Sequence, residues 1–222
     1  MWNSEMALAA ILFDLDGTLY PRSAGVQRAL DERMNAYVQQ ITGCALDEAP
    51  ALRHSWFIRY GTTLTGLQRE YHVDVEDYLR AIHNIRLDTF LARDRELDAL
   101  LDRLDLRRAI FTNSPAEHAA RVLRALGVAQ HFPLIFDIRF FEFQPKPNRI
   151  AYTRALDALG VTASETVLIE DTPQNLPPAR ELGMRTILID EQGTHSPDGI
   201  ADHVVPDIRA ALRLVNGDVG RI

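Results

Sequence analysis

Short apolar runs alternate with amphipathic stretches along most of this chain, and the alternation predicts its elements. Ala9-Ala-Ile-Leu-Phe13 is an apolar run closed by the turn-forming Asp14-Leu-Asp-Gly-Thr18, the pattern of a strand buried on both faces. Arg107–Thr112, Leu134–Ile138, Thr166–Glu170 and Arg185–Ile189 read the same way. Between them lie segments with helical spacing and punctuation. Ser114-Pro-Ala-Glu117 reads as a capping box with proline at the first helical position, and Gly127 stops that helix. Asn148–Leu159 is followed by Gly160, and Asn175–Leu182 by Gly183, each suited to the left-handed residue that ends a helix. Strands alternating with helices predict the α/β class, with a Rossmann-like parallel sheet covered on both faces.

One interval breaks the rhythm. Between Thr18 and Ile110 lie about 90 residues, far more than a single crossover helix needs. The interval reads as helix in five pieces: Gly25–Ile41, Asp47–Tyr60, Thr63–Tyr71, Val75–Ile82 and Asp94–Leu104. In the first, Val26, Leu30, Met34, Tyr37, Val38 and Ile41 keep the 3.6-residue spacing. The pattern therefore predicts a helical cap over residues 22–92, inserted between the first and second core strands. Residues 1–21 and 93–222 are left as the α/β core, to which the last of these helices returns.

Composition narrows the class. Of 222 residues, 46% are hydrophobic and 25% charged, which excludes a disordered chain, a collagen-like repeat and a coiled coil. Twenty-four basic against 31 acidic residues leave a net charge of −7, so no footprint for a nucleic-acid polymer is present. The run Met6–Phe13 resembles a leader core, but Glu5 stands where a positive residue is needed and Asp14 cuts the run short. No stretch approaches a membrane span, and Cys44 is the single cysteine. The expectation is a soluble, cytoplasmic protein without a membrane partner; nothing in the pattern reports an oligomeric state. Every basic residue is arginine except Lys146.

The chemistry-bearing residues gather at predicted strand ends. An open parallel sheet places its ligand site outside the C-terminal ends of its strands. There the sequence puts Asp14 and Asp16, Thr112 and Asn113, Lys146 nearby, and Glu170 with Asp171. So many carboxylates repel one another unless a cation sits among them, and oxygen-only ligands favour a hard ion such as magnesium.

Phe13-Asp-Leu-Asp-Gly-Thr-Leu19, Phe111-Thr-Asn113, Lys146 and Glu170-Asp171 resemble, in order and spacing, the four motifs of the haloacid dehalogenase superfamily. Leu19-Tyr-Pro-Arg22, Tyr60-Gly-Thr-Thr-Leu-Thr-Gly66, Pro145-Lys-Pro147 and Asp171-Thr-Pro-Gln-Asn175 are similar to its pyrimidine 5′-nucleotidase branch. The resemblance implies a magnesium-dependent phosphomonoesterase that forms an aspartyl-phosphate, acting on nucleoside 5′-monophosphates. Asp14 would be the nucleophile and Asp16 the acid and base. Thr112, Asn113 and Lys146 would hold the phosphoryl group of a small phosphate ester. Asp14, the backbone carbonyl of Asp16, and Asp171 would hold Mg2+, with Glu170 in or next to that set. The alternatives are a phosphatase of another small metabolite, such as a sugar phosphate or phosphoglycolate, a phosphosugar mutase, or a catalytically silent binding protein. Haloacid dehalogenation is disfavoured because it needs neither the second aspartate nor the metal.

Each motif also has a plainer reading. Asp14–Thr18 could be a solvated turn, Thr112–Ser114 and Glu170–Asp171 helix caps, and Lys146 an exposed loop cation. The histidines show no metal-ligand spacing, and His118, one turn into the helix after Asn113, is assigned to packing or capping. Trp56, Phe57 and Tyr60 are assigned to the core of the cap.

Overall fold

The computed structural model describes residues 7–196 and 199–217. Glu5 and Met6, on which the reading of the leader rests, lie outside them. Six parallel strands form one sheet in the order β3-β2-β1-β4-β5-β6: β1 Ala10–Phe13, β2 Arg107–Phe111, β3 Leu134–Phe136, β4 Thr166–Glu170, β5 Arg185–Ile189 and β6 His203–Val205. β1 and β4 are buried along their whole length, which is why they read as unbroken apolar runs rather than alternating ones. The exception to the expected set is β6. Its three residues are only half-buried at the sheet edge, so no apolar run announced them.

The described residues divide into two compact units, Gly25–Phe90 and the chain on either side of it. Within the sheet unit, α5 (Arg95–Asp102), α6 (Ala116–Leu126), α7 (Arg149–Leu159), α8 (Leu176–Leu182) and α9 (Ile208–Val215) flank the strands. Among them, α6 and α7 end in left-handed Gly127 and Gly160 as their punctuation predicted. The start of α6 differs from the expected capping box. Ser114 Oγ donates to Asp16 Oδ2 at 2.7 Å, and the helix begins at Ala116 with Pro115 at the N-cap. Asp137, beyond the end of β3, accepts the Ala116 N–H at 3.0 Å and caps the helix in place of the serine. A carboxylate is the better acceptor for the hydroxyl, and it drew Ser114 out of the cap.

The second unit contains α1 (Val26–Thr42), α2 (Ala49–Tyr60), α3 (Thr63–Tyr71) and α4 (Val75–Ile82). The predicted stripe on α1 is buried at Val26, Leu30 and Val38. Thr62 and Asp74 cap α3 and α4 through their side chains. α2 and α3 approach closely because Gly66 has no side chain: a Cβ there would stand 2.3 Å from Trp56 Cγ. Trp56 is fully buried, but Phe57 is 60% exposed, which corrects its assignment to this core. Consecutive helical residues point about 100° apart, so both rings cannot face inward. No helix among the described residues is long and apolar enough to cross a membrane.

Candidate active site

The strand order reverses at β1, between β2 on one side and β4 on the other, and a ligand crevice is expected there. Register brings the motifs together. Phe13 lies opposite Ile110 on β2 and Ile169 on β4, so Asp14 emerges beside Phe111 and Glu170. The Asp14 N–H donates to Ile169 O at 2.9 Å and ties the turn to β4. Gly17 carries a φ of 96°, and a Cβ on it would stand 2.1 Å from Asp171 Oδ2. Glycine there serves both the turn and the approach of the carboxylate.

Lys146 is buried, not an exposed loop cation. Its Nζ donates to Asp14 Oδ1 at 2.8 Å, Glu170 Oε2 at 2.7 Å and Phe111 O at 2.8 Å. Burial opposes its charge, but Asp14 and Glu170 outweigh burial and hold the ammonium above its ordinary pKa. Asn113 fixes the lysine from behind. Its Nδ2 donates to Lys146 O at 3.0 Å while its Oδ1 accepts the Lys146 N–H at 2.9 Å. The side chain expected to touch substrate is thus engaged with the lysine backbone. Glu170 Oε1 accepts the N–H groups of Asp171 and Thr172 at 3.2 and 3.1 Å and so ties the turn after β4, but neither Glu170 nor Asp171 caps the helix that follows, which their plainer reading expected. Thr112, buried beside them, accepts the Ser114 N–H on Oγ1 at 3.0 Å. A hydroxyl that accepts there keeps its own hydrogen to donate.

Oxygens of Asp14, Glu170 and Asp171 lie within 4.8 Å of one another. Burial, with the charge of Glu170 second, pushes the Asp14 carboxyl well above the usual carboxylate range, Lys146 opposing. The same two causes raise Asp171 to about 6 against the pull of Arg22, whose guanidinium is paired with it. These acids outnumber the ammonium among them. The set is buried, carboxylate-only and short of positive charge, which fits a hard divalent cation.

Asp16 sits in a different environment. Tyr20 Oη donates to its Oδ1, Ser114 Oγ donates to its Oδ2, and His118 Nε2 lies 2.9 Å from Oδ1. Burial would raise its carboxyl, but the charge of His118 and these hydrogen bonds prevail and hold it down at about 2. Tyr20 and His118 are the contacts the sequence reading did not assign. The signal for His118 was its position, one turn past Thr112–Asn113 and facing the first motif; its buried neighbours on α6, Ala119, Val122, Leu123 and Leu126, are all apolar.

The sequence profile described as "Hydrolase: haloacid dehalogenase-like hydrolase" matches residues 8–183, which covers β1, β2, β3 and β4 and every residue of this cluster. The chain belongs to that family. It is 28% identical over 201 residues to Phosphate metabolism protein 8 of Saccharomyces cerevisiae, covering 84% of this chain and 63% of the yeast protein. The chain therefore spans less than two thirds of that relative's length. It is 25% identical over 197 residues to the phosphoglycolate phosphatase of Pectobacterium atrosepticum, covering 82% of this chain and 80% of that one. The crystal structure of a HAD phosphatase from Thermococcus onnurineus superposes with a TM-score of 0.65 at 19% identity, over 95% of this chain and 98% of the other. That likeness is one of fold.

Proposed function

We propose that the protein is a magnesium-dependent phosphomonoester hydrolase working through an aspartyl-phosphate, with nucleoside 5′-monophosphates, pyrimidine ones first, as substrates. One observation carries the reading: two carboxylates two residues apart occupy opposite surroundings. Asp14 stands in the acid–lysine cluster, and Asp16 is held by hydroxyls and an imidazole. Two carboxyls in separate surroundings can take separate parts, the one at the cation cluster as nucleophile and the one ringed by hydroxyls and an imidazole as acid–base.

Asp14, the Asp16 backbone carbonyl and Asp171 would hold magnesium, with Glu170 beside them; when bound, the ion neutralises the charge that keeps nucleophile and phosphate apart. An Asp14 oxygen bonds to phosphorus as the bond from phosphorus to the ester oxygen breaks, and Asp16 gives that oxygen its proton. Water then attacks the aspartyl-phosphate, Asp16 takes the proton from the water, and Asp14 is released as carboxylate with inorganic phosphate. Asp16, held ionised in the free protein by its donors, takes up the proton it gives only when the phosphoryl group brings negative charge beside it. Thr112 donates its hydroxyl to a phosphoryl oxygen. Lys146 meets three acceptors already, so it attracts the phosphoryl group as a compact charge held in place by Asn113.

The helical insert, residues 22–92, is proposed as the cap that selects the alcohol. The similarity of Leu19–Arg22 and Tyr60–Gly66 to the nucleotidase branch supports the nucleotide. The Pectobacterium relative supports a second reading, a phosphatase of phosphoglycolate or a similar small ester. A single cysteine suits a reducing, cytoplasmic setting for either.

Phosphate release from nucleoside monophosphates, phosphoglycolate and sugar phosphates, with and without magnesium, tests this. Magnesium-dependent turnover, fastest on a pyrimidine 5′-monophosphate, is expected. A preference for phosphoglycolate favours the second reading, and phosphoryl exchange between sugar phosphates without net release favours a mutase. No turnover of any ester overturns the phosphatase.

A further inference from the structure

His118 occupies a position where packing alone called for an apolar residue. It is 1% exposed on a helix face otherwise filled by Ala119, Val122, Leu123 and Leu126. A buried imidazole costs stability unless its nitrogens are satisfied, and Nε2 is directed at Asp16 Oδ1 at 2.9 Å. The same oxygen receives the Tyr20 hydroxyl, while Oδ2 receives the Ser114 hydroxyl at 2.7 Å. The two oxygens of Asp16 are therefore not equivalent. Oδ1 is anchored by two ring systems fixed in the core. Oδ2 faces a hydroxyl that can turn from donating to accepting, and so can follow a proton on and off that oxygen.

We infer that His118 is a positioning residue that pins Oδ1 of Asp16 and thereby makes Oδ2 the oxygen that passes a proton to the leaving group. The inference rests on the phosphatase reading. It predicts a dependence on the leaving group that a merely structural histidine does not. An alkoxide must be protonated as it departs, whereas p-nitrophenolate leaves as a stable anion and has little need of Asp16.

The test compares kcat/KM, which reports on formation of the aspartyl-phosphate, for p-nitrophenyl phosphate and for the preferred alkyl ester of the panel, uridine 5′-monophosphate or phosphoglycolate. His118→Phe keeps the volume and deletes the donor. It should cost about 100-fold on the alkyl ester and less than about 10-fold on p-nitrophenyl phosphate. His118→Gln places an amide N–H at similar reach and should restore the alkyl ester to within about 10-fold of the unsubstituted protein. Should His118→Phe fail to melt cooperatively, His118→Asn, whose amide falls short of Asp16, takes its place against His118→Gln. Equal losses on the two esters, no loss on either, or a glutamine no better than the variant without a donor overturns the assignment. Absence of turnover in the unsubstituted protein defeats the phosphatase reading itself, and the two failures are distinct.

Discussion

The sheet unit and the helical insert handle charge in opposite ways. Around β1 and β4 the chain buries an ammonium and several carboxylates at the strand ends, where Lys146 and Glu170 are 4% and 1% exposed. In Gly25–Phe90 the buried set is apolar apart from His83, whose Nδ1 lies 2.8 Å from Leu79 O, while Arg28, Arg59, Arg80 and Arg86 pair with acids at the surface. Exposed ion pairs contribute little to stability, and buried ones must be matched atom for atom. The sheet unit thus carries unfavourable electrostatics that chemistry can use, and the insert keeps most of its charges in water.

The sharpest test of that contrast is Asp14→Asn. Turnover should fall by about a thousandfold or more, because no other group there can form the covalent intermediate. The metal-free melting temperature should hold or rise, since the amide removes a carboxyl that its surroundings disfavour. A variant that stays active shows that the buried charge of the core is structural after all.

Lys146→Arg comes next. A guanidinium keeps the charge but is planar and wider than the ammonium that Asp14, Glu170 and Phe111 O enclose. Phosphatase kcat should fall by about 10- to 1,000-fold. The melting temperature should fall as well, by the equivalent of about 1–3 kcal/mol, because the site has no room for the extra atoms. Steady-state kinetics with a melting curve read both.

The acidic cluster should also show itself through pH. Asp171 is raised to about 6, so its folded form binds a proton that the unfolded chain gives up near its ordinary value of 3.8. Its contribution to the stability of the metal-free protein is present at low pH and is lost as pH rises through about 6. Magnesium needs the ionised form, so the rise in melting temperature that magnesium produces should grow across the same interval. Calorimetric scans at pH 5, 6, 7 and 8, with and without the ion, check the sign; a magnesium effect larger at pH 5 than at pH 8 breaks the argument.

At Gly66 and Phe57 in the insert, the effects to read are on stability. Gly66→Ala forces a methyl against Trp56 and should cost about 1–3 kcal/mol, read as an earlier or broader transition. Phe57→Ser, at a ring 60% exposed, should change stability by less than about 0.5 kcal/mol and leave p-nitrophenyl phosphate turnover in place.

Local pattern was enough to identify most elements. Apolar runs marked five strands, most clearly β1 and β4, which are buried on both faces; glycine stops and polar caps placed the α-helices to within a few residues, except α9, which was not expected. The residues Asp14, Lys146, Glu170 and Asp171 could be nominated because each stands next to an element end that the pattern shows. What local pattern could not carry was partnership. Ser114 fits a capping box, and only the nearness of Asp16, 98 positions earlier in the chain, draws its hydroxyl elsewhere. His118 looks like any buried helical residue until β1 and β2 pair in register and bring the first motif against α6. Lys146 could be marked as unusual by composition, but its burial depends on three acceptors from β1, β2 and β4 converging on one nitrogen. A side chain's chemical type is written in the sequence; its protonation state and its working atom are decided by the charges and donors that tertiary structure packs around it.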